Sequence, residues 1–310
     1  MDIKAAILRY AKNPRQIWCA LGYHHLLNWL PDAAYLKLMY YAHTGKKLDL
    51  EHPRAFSEKL QWLKLYDRRP EYTRMVDKYE VRGYIRETIG EQYLIPLLGV
   101  WDDPREIDFA RLPQRFVLKC THDSGSVRIC KDKQHFDTQE AVRHLQKCLK
   151  RGTYWATREW PYKNVHPRVV AEQYMEDGSG DGLQDYKVMC FNGEPKLIQL
   201  HRGRYTAHTQ DFYDMDWKRT RLSQQARSGM PVSGKAAPRP ACLEEMLALS
   251  ARLAQGIPQV RVDWYCVGSS LYFGELTFFD GSGYYLFDND ADEQMLGDWI
   301  PLPNRKRTAR

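Results

Sequence analysis

The 310-residue chain carries a formal net charge of +7, from 46 Lys and Arg against 39 Asp and Glu. This basic excess is weaker than dedicated nucleic-acid-binding proteins show, and it suits an anionic small ligand or an acidic polymer instead. Because no apolar run is long enough to cross a bilayer and no signal peptide is visible, we expect a cytoplasmic, soluble protein without a nucleic-acid partner, while peripheral contact with a membrane stays open.

Residues 1–68 are predicted to be helical. In LPDAAYLKLMYYAHTGKKL the helix should end at Gly45, because glycine readily takes the left-handed conformation that ends helices. In FSEKLQWLKLYD the apolar residues fall on one face, and Ser57 is placed to cap the first turn. A further helix is predicted through EYTRMVDKYEVRGYIRETIG, which puts Lys78 on a helix.

Beyond Leu94 the pattern changes to short β runs, with helices at 138–150 and 241–255. The β runs are FVLKC, VRICKD, RVVAEQY, YKVMCF and PKLIQL. Strands with interspersed helices predict an α+β (α/β) fold. Segment 221–241 is rich in Gly, Pro and Ser and predicts a long loop, and the basic tail 304–310 predicts disorder.

The seven cysteines are scattered along the chain without a C-x-x-C pair. An odd number without paired spacing is typical of reduced intracellular thiols and not of a disulfide framework or a zinc site. We therefore expect free thiols.

The stretch RVDWYCVGSSLYFGELTFFDGSG, residues 261–283, predicts a hairpin of apolar strands that nevertheless carry charge. Arg261 and Asp263 lie two apart on the first strand. Glu275 and Thr277 lie two apart on the second. Burying such charges is costly unless they pair with one another or bind a metal. The spacing alone fits either a structural ion-pair ladder or a metal site.

Basic and small residues upstream add to this hairpin. Lys119 lies near the end of an apolar strand. The loop after it contains Ser124, Gly125 and Ser126, which let backbone amides approach an anion closely. Lys78 comes before this strand, and an apolar strand with an acidic end comes after it. In this order the pieces describe a phosphate grip followed by a divalent-metal site, and hard oxygen ligands favour Mg²⁺.

These motifs carry a family resemblance. They are VDKYEVRGYI, FVLKCTHDSGSVRICKDK, DYKVMCFNGEPKLIQL and the hairpin stretch, and with DADEQMLGDWIPLP they span roughly residues 55–303. The sequence resembles the ATP-grasp superfamily, most closely the TupA-like branch associated with teichuronopeptide and surface-polysaccharide biosynthesis. The resemblance implies an ATP-grasp domain over 69–303, with two α+β subdomains that grip a nucleotide, between the helical region 1–68 and the tail 304–310. The α/β substrate domain that usually opens such chains is not evident.

The resemblance also implies roles for individual residues. Nucleotide contacts are implied for Lys78 and Lys119 at the phosphates, Ser124, Gly125 and Ser126 in the loop over them, Glu172, Gln173 and Tyr174 at the adenine, Asp185 at the ribose and Lys218 as a third phosphate contact. Asp263 and Glu275 would hold Mg²⁺, and Arg261 would face the transferring phosphoryl group. Thr277 stands at a third ligand position that is often Asn, and a hydroxyl is a weaker ligand there. Arg202 is a further candidate that either lines the acceptor pocket or flanks a strand.

The resemblance implies an ATP- and Mg²⁺-dependent carboxylate–amine ligase that works through an acyl phosphate. The branch implies an amino acid joined to a uronic acid of a surface polysaccharide or its precursor. The expected partners are therefore a carboxylate-bearing small molecule or glycan and an amine, with the oligomeric state left open. The alternatives are a kinase acting on a sugar or glycan hydroxyl, and a non-catalytic polyanion-binding protein with a degenerate nucleotide site. The presence of both lysines and both carboxylates argues against degeneracy.

Overall fold

The computed structural model describes residues 13–177, 183–204 and 206–304, so the predicted tail lies outside them except for its first residue. The helices of this part of the chain are α1 Gln16–Tyr23, α2 Asp32–Thr44, α3 Phe56–Tyr66, α4 Glu71–Val76, α5 Val81–Thr88, α6 Thr138–Leu149, α7 Thr153–Thr157, α8 Gln225–Ser228, α9 Leu243–Leu253 and α10 Asp290–Asp298. The strands are β1 Leu97–Trp101, β2 Phe116–Cys120, β3 Arg128–Cys130, β4 Val169–Gln173, β5 Asp185–Phe191, β6 Glu194–Arg202, β7 Thr209–Tyr213, β8 Gln259–Val267 and β9 Ser270–Thr277. None of these helices is long and apolar enough to cross a membrane.

Two helix ends show where local sequence signals succeed and fail. Helix α2 ends at Gly45 in the left-handed conformation, with φ of 76°, as predicted. Ser57 does not cap α3, because the helix begins one residue earlier and the Ser57 hydroxyl donates to Glu293 at 2.7 Å. The Glu58 carboxylate accepts from the backbone N–H of Arg54 and Ala55 instead, so the cap comes from inside the first turn.

The helix predicted through Lys78 is broken in two. Helix α4 ends at Val76 and α5 begins at Val81. Between them, the Asp77 carboxylate accepts from the backbone N–H of Tyr79 at 2.8 Å, which competes with the helical pattern. Lys78 therefore lies in a turn and not on a helix. Its backbone N–H donates to the Thr121 carbonyl at 3.1 Å, which ties this turn to the loop after β2.

Two antiparallel sheets make up the body. The small sheet has the strand order β1–β4–β2–β3, and the large sheet has the order β7–β6–β5–β8–β9. Helix α6 packs on the small sheet, where Leu145 and Cys148 join Phe116 and Leu118 in a separate small core. The large sheet shares the main core with the N-terminal helices and α9.

The large sheet is apolar on one face and polar on the other. Along β5, Val188 and Cys190 are fully buried in the main core, and Asp185 and Lys187 point to the opposite side because strand side chains alternate. Residues paired across antiparallel strands share a face. The polar face therefore carries three rows: His201, Asp185 and Tyr265, then Gln199, Lys187, Asp263 and Glu275, and then Arg261 and Thr277.

The cysteine prediction is wrong at one pair. Cys242, which precedes α9, and Cys266, near the end of β8, are joined by a disulfide, and the other five cysteines form no disulfide. The two lie 24 residues apart in the sequence, and they meet because α9 packs against β8. Sequence spacing carries no information about this tertiary contact.

Candidate active site

One cavity of about 750 Å³ is lined by residues of both sheets. The predicted site residues in its lining are Lys78, Lys119, Ser124, Glu172, Gln173, Tyr174, Asp185, Arg261, Asp263 and Glu275. The fold therefore gathers residues that are up to 197 positions apart (Lys78 and Glu275) around one space. The other predicted residues, which lie outside the lining, are Gly125, Ser126, Arg202, Lys218 and Thr277.

Arg261 is the centre of a buried charge cluster on the polar face of the large sheet. Its Nε donates to Asp263 Oδ1 at 2.6 Å and its Nη2 to Asp263 Oδ2 at 2.8 Å, so the guanidinium and the carboxylate form two parallel bonds. Its Nη1 donates to Asp280, and its Nη2 also donates to the Thr277 hydroxyl at 3.1 Å. This fixes the planar group in one orientation.

The ionisation of this cluster follows from its contacts. Burial opposes charge on Asp263, but attraction to Arg261 and Lys187 outweighs it and lowers the pKa of Asp263 to about 2. Burial likewise opposes charge on Arg261, and the carboxylates of Asp263 and Asp280 raise the pKa of its guanidinium above the ordinary value. Arg261 and Asp263 are therefore both charged at neutral pH.

Two members of the cluster, Lys187 and Asp280, were not predicted from the sequence. Lys187 is buried and forms an ion pair with Asp263 on the neighbouring strand. It lies two residues after Asp185 and so on the same face, a signal that strand alternation already contains. Asp280 lies in the DGSG turn after β9, where it pairs with Arg261 and lies 3.5 Å from the Gln199 amide. The sequence indicates only a turn at that position.

Glu275 is held much more loosely than Asp263. Its carboxylate lies 3.6 Å from Arg261 Nη2 and 3.9 Å from Lys78 Nζ, and its side chain is 36% exposed toward the cavity. The Thr277 hydroxyl lies 3.4 Å from it. Thr277 thus contacts both Glu275 and Arg261 without lining the cavity.

The carboxylates fit a divalent cation that is completed by another molecule's oxygens. Among the described residues, no three His, Cys, Asp or Glu side chains are arranged to hold a metal ion by themselves. Mg²⁺ commonly takes one or two protein carboxylates and completes its shell with water and phosphate oxygens. Asp263 and Glu275 face each other across β8 and β9 and supply two hard oxygen donors of this kind. The donor set fits Mg²⁺ together with a polyphosphate.

The small sheet and the turn between α4 and α5 each contribute a lysine to the opposite wall. Lys119 Nζ lies 2.6 Å from Glu172 on the neighbouring strand β4, and Arg82 lies 3.7 Å from the same carboxylate. Lys78 Nζ donates to the Asp123 carbonyl in the loop after β2 at 2.5 Å. These ammonium groups therefore line the cavity with only partial neutralisation, which suits an anionic ligand.

The loop that contains Ser124 and Gly125 is anchored at its base. Ser126 is fully buried, and its hydroxyl accepts from the Cys120 backbone N–H at 2.7 Å while donating to Asp123. A side chain added at Gly125 would meet nothing closer than 3.6 Å. Packing within the loop therefore does not require glycine at position 125.

A polar patch formed by Arg204, His201 and His208 surrounds Asp185. Asp185 forms an ion pair with Arg204, and His201 Nδ1 lies 2.8 Å from His208 Nε2. Burial, together with the charges of Lys187 and Arg261, lowers the pKa of His201 to about 2, so the imidazole is neutral. Its Nε2 is buried without a hydrogen-bond partner among the described residues.

Arg202 and Lys218 lie outside this arrangement. Arg202 follows His201 on β6 and so points to the other face, where it donates to Asp211, the Ser233 hydroxyl and the Lys235 carbonyl. Its contacts help to pin the long predicted loop 221–241 against β7. The Lys218 side chain is 75% exposed and lies 3.4 Å from Asp216.

Helix α3 braces the site from behind. Lys64 is fully buried, and its ammonium donates to the Thr157 carbonyl at 3.0 Å and to the Ser282 carbonyl and hydroxyl at 2.8 and 2.9 Å. Gln61 donates to the Gly283 carbonyl at 3.0 Å. Burial lowers the pKa of Lys64 to about 7, against the attraction of Glu159. The N-terminal helices thereby hold the turn that carries Asp280.

Comparison with protein-family models matches residues 58–301 to the family described as TupA-like ATPgrasp. Two antiparallel sheets that face one cavity agree with the two α+β subdomains that the family resemblance implied. Because the match covers well over half of the chain, this protein belongs to the TupA-like ATP-grasp family. A comparison with curated protein sequences finds no match.

Solved structures that this chain is similar to include three ATP-grasp proteins. D-alanine–D-alanine ligase from Bacillus anthracis, complexed with ATP, is 16% identical, with 73% of this chain and 63% of that chain covered and a TM-score of 0.42. The Helicobacter pylori D-alanine–D-alanine ligase is 15% identical, with 79% and 69% covered and a TM-score of 0.42. A RimK domain ATP-grasp protein from Sphaerobacter thermophilus is 13% identical, with 74% and 69% covered and a TM-score of 0.38. This chain spans less than two thirds of the Bacillus anthracis ligase.

Proposed function

We propose that this protein is an ATP- and Mg²⁺-dependent carboxylate–amine ligase. The observation that carries the proposal is the buried Arg261–Asp263 pair, which shares one cavity with Glu275 and with Lys119 of the facing sheet. Such a set offers carboxylates to a metal and cations to phosphate oxygens at the same place. Membership of the TupA-like ATP-grasp family supports the same assignment.

The proposed nucleotide position follows the lining of the cavity. Val117 and Ile129 of the small sheet supply apolar surface for a base, beside the strand end at Gln173. Asp185 supplies a carboxylate for ribose hydroxyls. Lys119 supplies an ammonium for the phosphates. Along the large sheet, Asp263 lies two residues and Arg261 four residues from the position of Asp185. We therefore place the nucleotide between the sheets with its phosphates toward Arg261.

The proposed reaction has two steps. Bound ATP supplies the phosphoryl group: a carboxylate oxygen of the acceptor attacks the γ-phosphorus, the bond to ADP breaks, and an acyl phosphate forms. An amine nitrogen then attacks the acyl carbon, loses a proton, and expels phosphate as the amide forms. Asp263 and Glu275 would hold Mg²⁺, which lowers the charge repulsion between phosphate oxygens and the incoming carboxylate. Arg261 is oriented by Asp263 and Asp280 to stabilise charge that develops on the transferring group.

For the acceptor we propose a uronic acid of a surface polysaccharide or its precursor, joined to an amino acid. The resemblance to the branch associated with teichuronopeptide biosynthesis supports this choice, and the net charge of +7 suits an acidic acceptor. Since ATP is the second substrate, we expect the reaction on the cytoplasmic side of the cell.

The test is ADP release over a panel of uronic acids and amino acids, followed by mass spectrometry of the products. A ligase turns over ATP to ADP only when both the uronic acid and the amino acid are present. The product has the mass of the two joined by an amide, which is their sum less one water. Hydroxylamine in place of the amine should trap the acyl phosphate as a hydroxamate. A stable phosphate monoester without hydroxamate would show that the protein is a kinase and contradict the proposal.

A further inference from the structure

Exposed apolar side chains are concentrated in one segment near the start of the chain, well before the first residue that lines the cavity. Of the eleven large apolar side chains that are exposed in the described residues, five fall between residues 17 and 29. We call them the aromatic surface, and its members are Ile17, Trp18, Tyr23, Leu26 and Trp29. Trp29 is 77% exposed, Tyr23 66% and Leu26 61%. Single exposed apolar residues are ordinary, but five within thirteen consecutive residues point to an interaction site.

The backbone under the aromatic surface is fixed in an unfavourable conformation. Two residues after the end of helix α1, His25 lies in the left-handed region, with φ of 62°, where glycine is the usual residue. The Leu26 N–H donates to the Leu21 carbonyl at 2.9 Å and the His25 N–H to the Gly22 carbonyl at 3.0 Å, which closes the helix end. The chain then turns back and presents Leu26 and Trp29 outward.

A fully buried arginine holds the turn that follows. Arg158 donates from one nitrogen toward the carbonyls of Leu27, Asn28 and Leu30 at 3.3–3.5 Å, and it pairs with Asp32 at 3.2 Å. These contacts hold the turn in one conformation, so Leu26 and Trp29 stay exposed to water. The exposed residues are therefore presented on a rigid support.

The composition and charge of this surface fit a lipid bilayer. Neither the cavity between the sheets nor the smaller cavity beside Arg202 is lined by any residue of 13–31. Residues 13–31 contain no Asp or Glu, and Arg15 is the charged residue at their start. The nearest acidic residue in sequence, Asp32, is neutralised by Arg68 and Arg158. Trp and Tyr favour the head-group region, and basic residues favour anionic lipids.

We propose that the aromatic surface inserts into the head-group region of a phospholipid bilayer that contains anionic lipids, and anchors the protein peripherally. The proposal does not depend on the ligase reaction, because none of these five residues lines the cavity. It gives the helical N-terminal region a role in location, in addition to bracing the site.

The experiment is co-sedimentation of the full chain with vesicles of phosphatidylglycerol and phosphatidylcholine, and with vesicles of phosphatidylcholine alone. We expect the wild type to bind the mixed vesicles, and the Leu26→Ser/Trp29→Ser double variant to bind at least about ten-fold more weakly, because it loses the most exposed apolar area. Met295→Ser is the matched control, since Met295 is 37% exposed on α10, outside the aromatic surface. It should bind like the wild type.

Three results would overturn the proposal. One is a wild type that stays in the supernatant with both kinds of vesicle. Another is a double variant that sediments as well as the wild type while its circular dichroism is unchanged. The third is light scattering that shows a dimer for the wild type and a monomer for the double variant, which would mean that the aromatic surface binds a second copy of the chain. If the double variant fails to fold, Trp29→Ser alone gives the same comparison with a smaller expected loss.

Discussion

The two sheets face the same cavity with different chemistry. The small sheet presents Val117 and Ile129 together with one close ion pair, between Lys119 and Glu172. The large sheet presents a buried network in which Arg261 pairs with two carboxylates, and in which Asp263 pairs with two cations. The difference is one of charge density.

We infer from this contrast that the two sheets have different roles. An apolar wall with a few cations binds a flat base and its phosphates without demanding an exact position. A dense, mutually neutralising network is expensive to bury, and it holds each charged group in one orientation. We therefore expect substitutions on the large sheet to act mainly on the rate of the chemical step, and substitutions on the small sheet to act mainly on nucleotide affinity.

The largest effect is expected from the metal-type carboxylates. Glu275→Gln should lower ATP turnover at least about a thousand-fold, because it removes a ligand charge, while stability stays nearly unchanged since the side chain is partly exposed and loosely held. Asp263→Asn should lose turnover as well, and also roughly 3 kcal/mol of stability, because Arg261 and Lys187 are left with one carboxylate fewer. ADP release and urea unfolding of both variants measure this. Normal turnover in Glu275→Gln would contradict the metal assignment.

Arg261→Lys comes next, and it tests whether orientation matters. Lysine keeps the charge but cannot form the two parallel bonds to Asp263 and reach Asp280 as well. We expect kcat to fall about a hundred-fold or more with a much smaller change in the KM for ATP. Hydroxamate formation should fall in parallel. A variant with wild-type hydroxamate yield would show that the guanidinium is only structural.

On the small sheet, Lys119→Met should act on affinity. Loss of one charged contact to phosphate corresponds to a rise of about ten- to a hundred-fold in the KM for ATP, with kcat much less affected. Lys147→Met is the matched control, because Lys147 is exposed on α6, outside the cavity lining. Steady-state kinetics over a range of ATP concentrations separate the two constants. A fall in kcat alone would break the proposed division between the sheets.

Acid should weaken the large-sheet network. The pKa of Asp263 is about 2 in the folded protein against an ordinary value of 3.8, so the folded state binds fewer protons in this range. The stability that this group supplies is complete above about pH 4 and is lost as the pH falls through about 2, a difference of roughly 2 kcal/mol. Urea unfolding of the wild type and of Asp263→Asn at about pH 5 and about pH 2.5 measures the difference. Equal pH dependence in the two proteins would remove the argument.

The smallest effect is expected from Lys218→Ala. The family resemblance implies a third phosphate contact here, but Lys218 is exposed and lies outside the cavity lining. We expect the KM for ATP to change less than about two-fold, as is usual for exposed charges. An increase of ten-fold or more would show that the segment around Lys218 reaches the nucleotide during turnover.

Much of the architecture could be read from the sequence. Alternation of apolar and polar residues indicated strands β2 to β6 and the β8–β9 hairpin, and helices α6 and α9 lie inside the predicted ranges. Glycine chemistry indicated the end of α2. The ordered motifs indicated the family, because a phosphate grip followed by paired carboxylates is a long pattern that chance seldom produces. These are local or sequential signals, and a single chain carries them in full.

The composition of the charge cluster was decided by the tertiary structure. Alternation showed that Lys187 shares a face with Asp185, but only the pairing of β5 with β8 brings it to Asp263. Alternation along β6 turns Arg202 away from the cavity, since it lies one residue after His201, which lines the cavity. A shift of one residue along a strand moves a side chain to the other face of the sheet. Which strands pair is set by the burial of their apolar side chains on the face opposite the cavity.

Long-range contacts account for the remaining differences. The Asp77 side chain breaks the helix at Lys78 and lets that lysine reach the loop after β2. Cys242 meets Cys266 because α9 packs on β8, and Lys64 reaches Ser282 across 218 positions. The sequence by itself determined the elements, the apolar faces and the family. The tertiary structure decided which charged groups meet, because the cost of burying a charge depends on the partners that other parts of the chain bring to it.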